Sequence, residues 1–197
     1  MKLYWCPKTR AIRALWMLEE LGVPFERVFI DIRDPGAKAR ADFRAVSPMG
    51  KVPALEDGAT RLSDSGAICA YLADQYPKAG LAPAIGSAAR GAYLQWLMFT
   101  NAVIEPAMAE KFSNTPVSSA AHGWGSFPQM LEVLKAGLAT GPWILGERFS
   151  AADVLLGTSC TFMRQFKILD GEPALAAYAD RCAARPAFQR AAALDVL

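Results

Sequence analysis

Apolar and polar positions divide the chain into two regimes. Up to Tyr76, short apolar runs alternate with segments of helical period. Lys2–Trp5 is an apolar and aromatic run, read as a strand ending at Cys6-Pro7-Lys8-Thr9. From Arg10 to Leu21 the pattern predicts a helix. Ala11, Ile12, Leu15 and Leu18 share one face, and Arg10, Arg13, Met17 and Glu20 lie opposite. Gly22 reads as its C-cap, and Pro24 blocks continuation. Phe25–Ile32 alternates loosely as a second strand, and Asp34-Pro35-Gly36 is a turn. A short helix over Ala37–Ala45 stops before Ser47-Pro48. Strands at Ala54–Glu56 and Thr60–Leu62 flank Asp57-Gly58, a hairpin signal. A helix then runs from Ser65 to Tyr76, with Ile68, Leu72 and Tyr76 along one stripe. The order βαβ, α, ββα predicts a parallel first pair with a right-handed crossover and an antiparallel hairpin. Together these make a mixed four-stranded sheet with three helices.

After Pro77 no strand pattern remains. Residues 78–86, with Pro83 and two glycines, read as a linker. Arg90–Ala109 is a long helix that Pro106 is expected to kink. Lys111–Phe127 lacks periodicity and reads as a mobile loop. Helices are expected at Met130–Ala139, Val154–Phe166 and Ala174–Ala184, with a short one starting at Pro186. Pro142–Gly146 reads as an apolar bend. Ser150 as N-cap and Asp153 at N3 form a capping box, with Phe149 as its staple. The predicted organisation is an α+β domain over 1–77, a linker over 78–86 and an all-α domain over 87–197.

One stretch carries candidate chemistry, Gly50-Lys51-Val52-Pro53-Ala54-Leu55 with the following Leu62-Ser63-Asp64-Ser65. Proline cannot donate to a sheet ladder, so Pro53 marks either an edge strand or a tight turn before one. X–Pro is also the bond at which cis is accessible. A cis Pro53 would turn the Val52 N–H and C=O outward, free to pair with a ligand's backbone. Asp64 and Ser65 meet a helix N-terminus, where unpaired N–H groups favour an anion. The pair suits a small peptide with a free carboxylate.

Composition narrows the classes. The chain has 197 residues, 53% hydrophobic and 20% charged, enough apolar mass for a sizeable core. A net charge of +2 without basic runs gives no case for nucleic acid. No apolar run approaches a membrane span, and no segment resembles a signal peptide, so a cytoplasmic protein is expected. Cys6, Cys69, Cys160 and Cys182 show no metal-ligand spacing, and no metal is expected. Cys69, Cys160 and Cys182 fall on apolar helical faces and read as core. His122, the single histidine, reads as a loop residue.

Four segments together resemble the cytosolic glutathione transferase family. They are Glu19-Glu20-Leu21-Gly22-Val23-Pro24-Phe25, Gly50–Leu55, Asp64-Ser65 with Ala67-Ile68 and Tyr71-Leu72, and Ser150-Ala151-Ala152-Asp153. They lie in the family's order across nearly the whole chain. The resemblance implies a thioredoxin-like N-terminal domain, an all-α C-terminal domain and a homodimer. It also implies glutathione as co-substrate, with no bound prosthetic group. Val52, before the cis-proline Pro53, would pair its backbone with the cysteinyl part of glutathione. Asp64 and Ser65 would hold the γ-glutamyl end, and Lys51 the glycyl carboxylate. An acceptor site for a hydrophobic electrophile would lie between the domains, with Tyr4, Tyr93, Trp96, Phe99 and Met108 as candidate contacts.

The thiol-activating group has two candidates. Cys6 occupies the place of the catalytic Ser or Cys of some classes, and Cys6-Pro7 resembles the Cys-Pro-Phe class, from which Lys8 departs. Thr9 stands one turn nearer the helix and could donate to a thiolate. Arg10 stands where another bacterial class has its cysteine, and Met98 and Glu105 replace that class's polar residues. Conjugation of glutathione to an electrophile is the expected activity. The alternatives are a glutathione-dependent thiol-disulfide oxidoreductase using Cys6 and a non-catalytic binding module of the same fold.

Overall fold

The computed structural model describes residues 1–113 and 122–197. Part of the loop expected over Lys111–Phe127 therefore lies outside the described residues. The chain forms two compact units, one of Met1–Ala79 with Ala183–Leu197, the other of Gly80–Cys182.

The first unit is built on four strands, β1 (Lys2–Trp5), β2 (Glu26–Phe29), β3 (Ala54–Asp57) and β4 (Thr60–Ser63), in the order β2-β1-β3-β4. β1 pairs parallel with β2 and antiparallel with β3, and β3 pairs antiparallel with β4. β2 is shorter than the alternation over Phe25–Ile32 implied. The turn between β3 and β4 holds Gly58 at φ 58°, a left-handed position that glycine adopts without steric cost. β3 is interior, which removes the edge-strand reading of Pro53. The proline immediately precedes the strand, and the Val52–Pro53 bond is cis.

Helices α1 (Ala11–Leu21) and α4 (Ser65–Gln75) pack on each other. α2 (Pro35–Ala39) and α3 (Ala41–Val46) replace the single helix expected there. Tyr4, Ile30, Phe43, Val46 and Ala54 form one apolar cluster of this unit. α1 departs from the expected one-sided pattern, because every residue from Ala11 to Leu18 is buried, Arg13 and Met17 included. The covering element is α10 (Pro186–Leu194), whose Phe188 ring meets Trp16 edge-on at 4.9 Å. Arg185 grips Glu20 through two bonds of 2.6 and 2.7 Å, and Arg190 reaches Glu19 at 2.7 Å. Residues 183–197 therefore belong to the first unit rather than to the helical one.

The second unit is helical: α5 (Ala89–Phe99), α6 (Glu105–Ser113), α7 (Phe127–Gly137), α8 (Ala151–Gln165) and α9 (Pro173–Ala183). The long helix expected over Arg90–Ala109 is interrupted by a π turn at Thr100–Ile104, and Pro106 lies within the first turn of α6. Within the expected linker Leu81 is buried, and its carbonyl accepts from the Ala151 N–H at 2.8 Å, while residues 84–86 are exposed. α8 is buried without a break from Ala151 to Cys160. Its capping box is formed. Asp153 accepts from the Ile144 and Ser150 N–H groups and from the Ser150 and Tyr178 hydroxyls, at 2.8–3.0 Å. Burial pushes its carboxyl pKa up against those four bonds, which act to lower it.

Candidate functional site

Strand register gathers the candidate segments at one end of the sheet. Ala54 faces Ser63, so Pro53 and Asp64 are the next residues out on adjacent strands. Tyr4 faces Ala54, so Cys6, two residues after Tyr4, and Val52, two residues before Ala54, leave the sheet at the same end. Lys51, Val52, Pro53, Asp64, Ser65 and the Cys6–Thr9 loop thus share one end of the sheet, although they come from three parts of the chain.

Each segment is held by identifiable bonds. The buried Ser47 hydroxyl donates to the Lys51 carbonyl at 2.8 Å and accepts from the Lys51 N–H at 3.0 Å. Gly50 turns at φ 63°, a left-handed position that glycine adopts without steric cost. These bonds fix the Lys51 backbone and leave its side chain exposed. Asp64 takes φ 103° and caps α4, accepting from the Gly66 and Ala67 N–H groups at 2.8 and 3.3 Å.

Ser65 is buried, and its hydroxyl oxygen accepts from Arg13 Nη1 at 3.2 Å. Arg13 is only 1% exposed, so α1 brings a guanidinium charge to the N-terminus of α4. Sequence periodicity assigned Arg13 to the polar side of α1. The only hint was an arginine between apolar Ile12 and Ala14, which does not say what covers it. Because Ser65 accepts from Arg13, its own proton remains available to an incoming acceptor.

At the other segment, the Thr9 hydroxyl donates to the Cys6 carbonyl at 2.7 Å and accepts from the Ala11 N–H at 3.1 Å. Thr9 therefore closes the loop onto α1, and it must release the Cys6 carbonyl before donating elsewhere. Cys6 is a buried free thiol, and Lys8 holds a left-handed φ of 58°.

Two of the five aromatic and methionine candidates lie away from any open surface. Tyr4 packs in the sheet-face cluster, its ring 5.7 Å from Phe43, and burial, then Glu56 and Asp42, raise its phenol pKa. Tyr93 is fully buried in the helical unit. Both rings are enclosed because their helix or strand positions point into a core. Trp96 and Phe99 are half-buried and meet edge-on at 5.1 Å, and Met108 on α6 is half-buried. Phe99 also lines a cavity of about 340 Å³ with Val103, His122, Trp124, Gln129 and Met130. The other cysteines, Cys69, Cys160 and Cys182, are buried, and burial pushes the Cys69 and Cys160 thiols up to about 12.

Residues 5–75 match the glutathione S-transferase N-terminal domain, and residues 105–188 match the glutathione S-transferase C-terminal domain. The chain belongs to the glutathione S-transferase family. It is 30% identical over 201 residues to glutathione S-transferase GstA of Escherichia coli O157:H7, covering all of both chains. It is 28% identical to the disulfide-bond oxidoreductase YfcG of Escherichia coli strain K12, over 96% of this chain and 93% of that one. A sphingomonad glutathione S-transferase solved with glutathione superposes with a TM-score of 0.82 at 34% identity, covering 99% and 98% of the two chains.

Proposed function

We propose that this protein is a glutathione transferase that binds glutathione, stabilises its thiolate and transfers it to a small apolar electrophile. The observation that carries the reading is the convergence of Val52, Asp64 and Ser65 at the sheet end that also holds Cys6. The Ser65 hydroxyl, backed by the buried Arg13 charge, suits the α-carboxylate of a γ-glutamyl group. Asp64 suits its ammonium, Val52 offers backbone groups to the cysteinyl residue, and the exposed Lys51 suits the glycyl carboxylate. Half-buried Trp96, Phe99 and Met108 are the proposed apolar contacts for the electrophile. The assembly is proposed to be a homodimer.

In the chemical step the glutathione thiol loses its proton to solvent water, and the thiolate then forms a carbon–sulfur bond as the electrophile's leaving group departs with its electron pair or its double bond accepts the pair and is then protonated by water. The group that stabilises the thiolate is assigned to the Cys6–Thr9 loop at the start of α1, where the helix end favours negative charge. A thiol-disulfide route through Cys6 is the second reading. It is supported by the likeness to a disulfide-bond oxidoreductase and by the free Cys6 thiol at this end of the sheet.

Retention on immobilised glutathione tests both enzymatic readings, and failure to bind overturns both in favour of a non-catalytic module. Cys6→Ser separates the two. Under the leading reading it retains conjugation within about threefold, since a hydroxyl keeps a donor there. Loss of disulfide reduction alone, with reduction measurable in the parent, establishes the second.

A further inference from the structure

The side chain of Asp195, which follows α10, holds the Cys6–Thr9 loop from outside it. Lys8 takes a left-handed backbone conformation that a non-glycine residue keeps only when its surroundings impose it. Its N–H donates to Asp195 Oδ2 at 3.0 Å. Asp195 is itself anchored: its N–H donates to the Ala192 carbonyl at 3.2 Å, and the Arg27 guanidinium on β2 donates to the adjacent Leu194 carbonyl. Arg27 in turn lies over the Trp5 ring at 4.7 Å, one residue before Cys6. The second carboxylate oxygen, Oδ1, is buried with no hydrogen-bond partner among the described residues. A surface carboxylate free to choose its position would hydrate both oxygens. This one gives up solvation of Oδ1 while Oδ2 holds the loop.

We propose that Asp195 is a positioning residue, which sets the Cys6-Pro7-Lys8-Thr9 backbone in the geometry that activates a thiol. The proposal rests on the reading of that loop as the thiolate-stabilising element. Asp195 touches no reacting atom. It acts through the Lys8 N–H, and thereby on where Cys6 and the Thr9 hydroxyl stand at the start of α1. Burial raises the Asp195 pKa most, opposed by the Lys8 N–H and by the Arg27 and Lys8 charges. Among the described residues, Arg27 and Lys8 are the charges that act on it.

The test compares the full-length parent with Asp195→Ala and Asp195→Asn, each first shown to melt cooperatively. Asn keeps a carbonyl oxygen for the Lys8 N–H. Three quantities are read: hydrogen exchange of the Lys8 amide in the free protein, the affinity for glutathione, and the pKa of bound glutathione from its ultraviolet thiolate absorbance. Asp195→Ala is expected to speed Lys8 exchange and to raise the bound thiol pKa by about one unit, lowering kcat about tenfold at pH values below the parent's bound-thiol pKa. Glutathione affinity should stay within about twofold in both variants, and Asp195→Asn should restore Lys8 exchange and the bound thiol pKa toward the parent. An Ala variant with parental thiol pKa, or an Asn variant as impaired as Ala, overturns the positioning role. A parent that binds glutathione without depressing its thiol pKa, while Lys8 stays protected, overturns instead the reading of the loop, and the proposal falls with it.

Discussion

At the residue scale the informative pair is Arg13 and Ser65. A guanidinium that is 1% exposed is tolerated only where its donors meet acceptors, and one of these is the Ser65 hydroxyl. Ser65→Ala removes both that acceptor and the proton offered to a ligand carboxylate. Glutathione affinity measured by titration calorimetry should fall about tenfold, near 1.4 kcal/mol, the range of one hydrogen bond to a charged group. Unaltered affinity removes Ser65 from the binding set. Arg13 itself was illegible in the sequence as a site residue, because helical spacing distinguishes faces but not what covers them. Asp64 was legible, because an acid at a helix start is a local signal that works through the next turn's own N–H groups. The cysteines separate on the same local footing. With their thiols raised to about 12, Cys69 and Cys160 remain protonated at neutral pH. Alkylation of the native protein, read by mass spectrometry, should leave both unmodified until unfolding.

At the element scale, α8 is held by its start. Asp153 gathers four donors from α8's own cap, from the bend at Ile144 and from Tyr178 on α9. Asp153→Ala leaves those donors buried without an acceptor and should cost about 3–4 kcal/mol in denaturant unfolding. The pH dependence has a definite sign. The folded-state carboxyl titrates above its unfolded value. Its contribution is therefore largest below the unfolded pKa and is lost as pH rises through the folded one. The stability gap between the parent and Asp153→Asn should shift in the parent's favour on acidification. The capping box was readable because its spacing is fixed by one helical turn. The added bonds to Ile144 and Tyr178 join residues far apart in sequence, and no periodicity reports them.

At the scale of the whole molecule, the first unit is completed by residues that come last in the chain. Phe188 packs on Trp16, and Arg185 clasps Glu20, so α1 is buried on the side that periodicity left polar. Phe188→Ala should destabilise the protein by about 2–3 kcal/mol in equilibrium unfolding, as expected for deleting a half-buried aromatic ring. A cost near zero would mean that α10 adds little to the first unit. The sequence alone determined the succession of the four strands, the hairpin turn, the caps of α4 and α8, and the motifs that resemble the glutathione transferases. All of these are written in spacings of one helical turn or one strand pleat, where chemistry and geometry are local. Tertiary structure decided that Cys6, Val52 and Asp64 share one end of the sheet, that Arg13 turns inward beside Ser65, and that residues 183–197 close over α1. Those outcomes depend on register and on burial summed over residues that are distant along the chain, and a one-dimensional pattern does not contain them.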